Sequence, residues 1–321
     1  MTVRKFNYTK FTIFIVIVIG IIFGIVYGIT KLVSNIKYTK SYEYRLLNIG
    51  YSEEEVNTLI NKLDENKLND ILNREVDSKI IPFLTEKYFI YENLDKYLDY
   101  KKSNRDYTNT EVVSIINTEA NVDWFDNEKQ TDTSKNELML VNRLYGLSSN
   151  YKPDDIVDVP IKYAYSNMKL KRGILENIEN LIDDAANEGY TFVVSMGYRT
   201  YKEQKSLYNS YAKSYGKSEA DEFVARPGHS EYETGLSFDL EPYKYVKKVK
   251  NVKTSAEYTW LRENAHRYGF IFRFDKEKEY LTKFSEDTWR LRYVGVDAAT
   301  LMYSENICFE EYYAYFVNRG E

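Results

Sequence analysis

Histidine and cysteine are scarce in this chain. Its 321 residues include two histidines, His229 and His266, and one cysteine, Cys308. A single cysteine excludes an intramolecular disulfide framework and a zinc site of the Cys-x-x-Cys type. Two histidines leave little room for a histidine-rich metal site. The formal net charge is −5, so the chain lacks the basic excess that nucleic-acid binding requires, and no nucleic-acid partner is expected.

The rest of the composition is that of a folded protein. Hydrophobic residues make up 43% of the chain and charged residues 29%, which is typical of globular proteins and not of disordered or collagen-like ones. The length allows either one large domain or two modest ones.

One long hydrophobic run is present. Residues 11–29 carry no charge, and as a helix they would extend about 30 Å, the thickness of a bilayer core. Basic residues lie on both sides, so the positive-inside rule does not orient the helix. A cleaved signal peptide is the alternative, but its apolar region is usually about 7–15 residues long and ends in small residues. An uncleaved anchor is therefore the favoured interpretation. Burial in a soluble core is disfavoured, because isoleucine and valine occupy all faces of the run.

The sequence divides into four segments. We predict a cytoplasmic head over residues 1–10, a transmembrane anchor over residues 11–30, a helical spacer over residues 31–105 and a C-terminal domain over residues 106–321. The protein would then cross the cell membrane once, with its C-terminal domain extracytoplasmic.

The spacer has clear helix signals. Ser52 and Glu55 have the spacing of a capping box, in which the serine caps the helix and the glutamate returns to the serine backbone. Val56, Leu59 and Leu63 follow at helical spacing.

The C-terminal domain mixes strands and helices. The apolar patterns predict strands over residues 112–116, 138–141, 192–195, 236–240, 270–274 and 289–294. They predict helices over residues 168–188, 201–215 and 255–268, and helical turns over residues 298–303 and 309–316. Gly269 is expected to end one helix in a left-handed conformation. Because strands and helices do not alternate strictly, we predict an α+β fold with a mixed or antiparallel sheet flanked by helices, preceded by one transmembrane helix and a helical spacer.

Three segments of this domain stand out. They are residues 195–200 (SMGYRT), residues 226–239 (RPGHSEYETGLSFD) and residues 286–295 (EDTWRLRYVG). Together they resemble the VanY-type D-alanyl-D-alanine carboxypeptidases, zinc metallopeptidases that trim peptidoglycan stem peptides. Residues 140–143 and 260–271 also look like family segments, and the resemblance extends over roughly residues 106 to 321.

The resemblance implies a defined chemistry. In the family, one zinc ion is held by two histidines and an aspartate, and a fourth position is left open for water. A glutamate takes the proton of that water, and the metal polarises the scissile carbonyl. An arginine binds the free C-terminal carboxylate of the substrate by a charge-assisted contact.

This chain departs from the family at the metal. Asp239 keeps the aspartate position, but Tyr232 stands at the first histidine position and Arg290 at the second. Asp287 stands at the position of the catalytic base, one methylene shorter than glutamate. Arg199 stands where the family has its carboxylate-binding arginine.

These replacements disfavour a metal. Arg290 has no lone pair to offer and brings a fixed positive charge to the place of the cation. Tyr232 could bind a metal only as a phenolate, and the ordinary pKa of tyrosine is near 10. We therefore hypothesise that the domain binds no zinc, needs no cofactor and is catalytically inactive. A second hypothesis is that Arg290 replaces the metal by pairing with Asp239.

Other polar residues are weaker candidates. His229 precedes Tyr232 by three residues and could be a substitute ligand, although its position matches a family position that is not a ligand. His266 is expected to pack or cap a helix. Glu286 could be a shifted base, but it would have no metal-bound water to activate. Gln204 fits a glutamine that the family has near its arginine.

Three functions stay open at this point. The first is a pseudoenzyme that binds peptidoglycan stem peptides through Arg199. The second is an active D,D-carboxypeptidase with an altered metal site. The third is a scaffold that binds a partner and no peptide. The sequence identifies no protein partner.

Overall fold

A computed structural model describes residues 8–39, 41–243 and 252–318. The chain forms two compact units, Met1–Thr110 and Glu111–Glu321. The four-segment division stays a prediction, and residues 1–7 of the predicted head lie outside the described residues.

The N-terminal unit begins with one long helix, α1 (Tyr8–Thr39). Within it, Val16–Ser34 has a mean hydropathy of 2.4 and is not buried. Its length and composition suffice to cross a membrane, as an anchor or as a signal sequence.

Short helices complete this unit. They are α2 (Tyr42–Ile49), α3 (Glu53–Lys62), α4 (Glu65–Leu72), α5 (Ile80–Leu84) and α6 (Leu94–Ser103), with a 3-10 turn at Tyr91–Asn93. The predicted capping box is confirmed, because the Glu55 carboxylate accepts the Ser52 backbone N–H at 2.8 Å and the Ser52 hydroxyl accepts the Glu55 N–H at 3.4 Å. The apolar faces of these helices meet in a core that includes Leu46, Leu59 and Ile71.

The C-terminal unit is built on a four-stranded antiparallel sheet. Its strands are β5 (Phe192–Met196), β6 (Ser237–Pro242), β7 (Phe270–Phe274) and β8 (Asp287–Tyr293), in the order β5-β6-β8-β7. Two short pairs lie apart from it: parallel β1 (Lys129–Gln130) with β2 (Tyr145–Gly146), and antiparallel β3 (Ile156–Asp158) with β4 (Lys169–Lys171). The predicted α+β fold is confirmed.

Helices flank the sheet. They are α7 (Asn109–Asn117), α8 (Leu175–Asn187), α9 (Tyr201–Tyr215), α10 (Lys217–Phe223), α11 (Ala256–Asn264), α12 (Glu279–Thr282), α13 (Val296–Glu305) and α14 (Phe309–Tyr312). The buried face of α8 shares one core with inward side chains of β5 and β6, among them Val194 and Phe238. Gly269 ends the segment after α11 at φ 84°, as predicted.

Two predicted strands are wrong, and one predicted helix, over residues 168–188, begins later than expected. Residues 112–116 lie in α7, not in a strand, because an apolar run buried on every side does not distinguish strand from helix. Residues 138–141 pair with no described strand, and the Met139 carbonyl instead accepts a hydrogen bond from Arg292 at 2.8 Å. Residues 169–171 form β4, and α8 begins only at Leu175, because Leu170 is buried between two exposed or half-buried lysines in a period of two.

Candidate functional site

The site lies on two neighbouring strands. In the antiparallel pair of β6 and β8, Asp239 is directly opposite Arg290, so both side chains project from the same face. Arg290 Nε donates to Asp239 Oδ1 at 2.5 Å. The ion pair hypothesised from the sequence is therefore present, and each side chain is only 15% exposed.

Tyr232 completes the partners of Asp239. It lies on the 3-10 turn Glu231–Thr234, which leads into β6. Its hydroxyl donates to Asp239 Oδ2 at 2.8 Å, so both carboxylate oxygens of Asp239 are engaged by protein groups. The guanidinium of Arg290 lies 4.0 Å from the centroid of the Tyr232 ring, a cation–π distance.

Asp287 also binds Arg290. Arg290 Nη2 lies 3.0 Å from Asp287 Oδ2, and the other oxygen accepts the Trp289 backbone N–H at 3.2 Å. Burial opposes the charge on Arg290, but the neighbouring carboxylates outweigh it and raise the pKa of Arg290 above its ordinary value. The residue predicted at the family's base position is therefore an ion-pair partner of a permanent cation.

These residues do not fit a zinc ion. Burial raises the pKa of Tyr232 above its ordinary value, so the hydroxyl keeps its proton and is a poor ligand. Arg290 has no lone pair, and it pairs with Asp239, the residue predicted at the family's aspartate position. Among the described residues, no group of three or more His, Cys, Asp or Glu side chains could hold a metal ion.

Arg199, unlike Arg290, is held by an amide side chain. It follows β5 and precedes α9, whose N-cap Thr200 forms a capping box with Glu203. Arg199 Nη1 donates to Gln204 Oε1 at 2.8 Å, and buried Gln204 donates in turn to the Ala225 carbonyl at 2.6 Å. Within the described ranges, no carboxylate lies within 4.0 Å of Arg199. Its guanidinium is thus oriented by an amide, and no described carboxylate forms an ion pair with it.

Arg199 and Arg290 line one cavity. Its volume is about 370 Å³, and Tyr232, Asp287 and His229 also lie in its wall. Arg199 lies 4.8 Å from the centroid of the Tyr232 ring. The structure thus brings the predicted site residues together, with Asp239 immediately behind the wall through its bonds to Tyr232 and Arg290.

The remaining candidates have other partners. His229 Nδ1 lies 2.7 Å from the Asn142 carbonyl, which occupies one ring nitrogen. His266 stacks on Tyr303 with ring centroids 4.1 Å apart. Glu286 forms an ion pair with Lys253.

A buried ionic network lies behind the site, and the sequence did not predict it. Glu231 accepts from Arg273 Nε at 2.6 Å and also pairs with Arg292, and Arg273 Nη2 donates to Glu310 at 2.6 Å. All four side chains are almost fully buried. Glu231 and Arg292 lie inside the motif segments, but no local pattern joins them to Arg273 and Glu310. The network fixes the turn that presents Tyr232.

Glu233 is a second residue that the sequence did not single out. It is 3% exposed, and its Oε1 accepts the backbone N–H groups of Gly228 at 2.8 Å and Ser230 at 3.4 Å. Burial outweighs these two hydrogen bonds and raises the pKa of Glu233 to about 7. The folded protein therefore holds this proton more tightly than the unfolded chain does.

This proton makes stability depend on pH. As pH rises from about 4.5 to 7, the free energy of unfolding should fall by an amount on the order of 3 kcal/mol from this group alone. Glu233→Gln should remove that fall, and exposed Glu219→Gln should keep it. Urea denaturation across this pH range measures both variants. An unchanged pH slope in Glu233→Gln would contradict the prediction.

The C-terminal unit matches known proteins. The VanY family model, described as D-alanyl-D-alanine carboxypeptidase, matches residues 167–296. The chain is 33% identical over 224 residues to the candidate carboxypeptidase YodJ of Bacillus subtilis, covering 68% of this chain and 81% of YodJ. It is 31% identical over 194 residues to a D-alanyl-D-alanine carboxypeptidase of Enterococcus faecalis, covering 58% of this chain and 68% of that protein.

A solved structure agrees with these matches. This chain is similar to the LdcB LD-carboxypeptidase, with a TM-score of 0.56 and 32% sequence identity. The structure of LdcB is described as revealing the molecular basis of peptidoglycan recognition. The similarity covers 59% of this chain and 91% of that one. The family expected from the motifs is confirmed: this chain belongs to the VanY family of D-alanyl-D-alanine carboxypeptidases.

Proposed function

We propose that this protein is a zinc-free pseudoenzyme that binds peptidoglycan stem peptides without hydrolysing them. The observation that carries the proposal is the guanidinium of Arg290, which bonds both Asp239 and Asp287 in the family's metal site. A hydrolase of this family needs a metal-bound water and a free base. Here the retained ligand and the residue at the base position both neutralise an arginine.

Arg199 supports retained peptide binding. Its guanidinium lines the cavity, is oriented by Gln204 and has no carboxylate partner among the described side chains. A peptide's C-terminal carboxylate offers the two oxygens that a guanidinium binds best. Relatives of this chain are named for D-alanyl-D-alanine, a dipeptide that ends in such a carboxylate.

The N-terminal helix supports a location at the cell wall. A single-pass anchor over residues 11–30 would hold the C-terminal unit outside the cell membrane, where peptidoglycan lies. The exposed apolar span Val16–Ser34 fits this role. A relative acts in peptidoglycan recognition, which also favours an extracytoplasmic domain.

The proposal predicts binding without turnover. The full-length protein in detergent micelles should bind an acyl-L-Lys-D-Ala-D-Ala peptide in calorimetry, release no D-alanine and contain no stoichiometric zinc. Arg199→Ala should weaken binding about 10- to 100-fold, because a hydrogen bond to a charged group contributes about 1.5–3 kcal/mol.

A matched control is Arg267→Ala. Arg267 is exposed, does not line the cavity and donates to Asn264 at the end of α11, so binding should be unchanged. D-Alanine release together with stoichiometric zinc would instead favour an active D,D-carboxypeptidase with an altered site. Absence of peptide binding in the unmodified protein would favour a scaffold that binds a partner and no peptide.

A further inference from the structure

Two cations lie together beside the cavity. Arg143 follows the wall residue Val141 by two positions, and Lys283 immediately precedes the wall residue Phe284. The Arg143 guanidinium lies 4.4 Å from the centroid of the Phe284 ring. Its Nη2 donates to the backbone carbonyl of Glu222, also a wall residue, at 3.0 Å.

Neither cation forms an ion pair with a described carboxylate, although Asp221 and Glu222 are near enough to act on the charge of Arg143. In the part of the chain that the structure describes, no carboxylate lies within 4.0 Å of Arg143 or Lys283, and the buried Arg143 Nε has no hydrogen-bond partner. Nearby Asp221 is committed elsewhere, because Arg226 binds both of its oxygens at 2.8 and 2.7 Å. Burying a cation without a paired carboxylate costs free energy, so an anion that bound beside these two cations would be stabilised.

The pKa values of both cations are lowered in the folded protein. Burial lowers the pKa of Lys283, and the charge of Arg143 lowers it further. Burial likewise lowers the pKa of Arg143. An anion placed between the two would relieve both effects.

The backbone conformation at Lys283 also favours a functional role for this side chain. Lys283 ends α12 in the left-handed conformation, at φ 59° and ψ 17°. Glycine or asparagine is favoured at such a position, since other side chains are strained there. The backbone conformation therefore does not explain why a lysine stands here. The half-buried lysine side chain does.

We propose that Arg143 and Lys283 form a second carboxylate-binding subsite of the cavity. The protein would then select peptides that carry one acidic group in addition to their C-terminal carboxylate. A stem peptide linked through the γ-carboxyl group of D-glutamate has such a group, since the α-carboxylate stays free. This inference rests on the proposed function, because it assigns the C-terminal carboxylate to Arg199.

The test compares two peptides. Calorimetry on the full-length protein would use L-Ala-γ-D-Glu-L-Lys-D-Ala-D-Ala and its counterpart in which the glutamate α-carboxylate is an amide. The unmodified protein should bind the carboxylate form about tenfold more tightly, as one added charge-assisted contact provides. Lys283→Asn should remove most of this preference and keep the fold, because asparagine tolerates the left-handed conformation. Lys205→Asn, on the exposed face of α9, should keep the preference.

The outcomes separate the two proposals. Equal binding of both peptides by the unmodified protein, or an unchanged preference in Lys283→Asn, would overturn the subsite and leave the proposed function standing. If neither peptide binds, the proposed function fails, and inorganic phosphate then tests the subsite alone. A phosphate-induced rise in melting temperature that Lys283→Asn loses would support the subsite. The same rise in both proteins, or none, would overturn it.

Discussion

Arg290→Ala is expected to lower the free energy of unfolding by about 3–5 kcal/mol, the cost of breaking a buried ion pair by removing one partner. Asp239 would lose the Nε contact at 2.5 Å, and Asp287 would lose the Nη2 contact at 3.0 Å. Both carboxylates would then lose their ion-pair partner. Tyr232 would also lose the guanidinium that packs on its ring. Urea denaturation of the full-length protein in micelles measures the loss.

A second arginine provides the comparison. Arg172 pairs with Asp155 at 2.9 Å, but the two side chains are 65% and 51% exposed. Arg172→Ala should therefore cost only about 0–1 kcal/mol, as surface ion pairs do. Arg290→Lys should fall between the two, because an ammonium keeps the charge but lacks the planar fork. If Arg290→Ala were no more destabilising than Arg172→Ala, Arg290 would not replace the metal as a structural element.

Restoring the family residues should restore a zinc site. The triple variant Tyr232→His, Asp287→Glu and Arg290→His removes the permanent cation and frees both oxygens of Asp239. Two histidines and an aspartate are then the ligand set that the family uses. We expect stoichiometric zinc by elemental analysis, against none in the unmodified protein. Because a metal that binds only the folded state stabilises it, zinc should also raise the melting temperature of the triple variant.

The double variant Tyr232→His with Asp287→Glu is the control. It keeps Arg290, whose guanidinium would still bind Asp239 and repel a divalent cation. The double variant should therefore take up no zinc, and its melting temperature should not respond to the metal. A triple variant that stays folded but zinc-free would show that the cleft has diverged beyond its ligand positions.

The sequence by itself determined the family, and it predicts that the family's metal ligands are replaced. Ligand identity is a property of single residues, and each motif is contiguous, so the sequence alone could predict that Tyr232, Asp239 and Arg290 stand at the ligand positions. The capping box at Ser52 could also be predicted, since its partner lies three residues away. The scarcity of histidine favours the same prediction, because neither histidine stands at a predicted ligand position.

Only the tertiary structure decided which groups meet. The β6–β8 register makes Arg290 a partner of Asp239. The same guanidinium also pairs with Asp287, the residue predicted at the base position. Residues 112–116 form a helix that the sequence did not predict. They are buried on every side, so their hydrophobic pattern has no period that distinguishes a strand from a helix. Arg143 and Lys283 are far apart in sequence, and no local pattern predicts that the fold brings both together with no ion pair to a described carboxylate. Pairing between distant side chains depends on how the elements pack, and composition and spacing do not encode it locally.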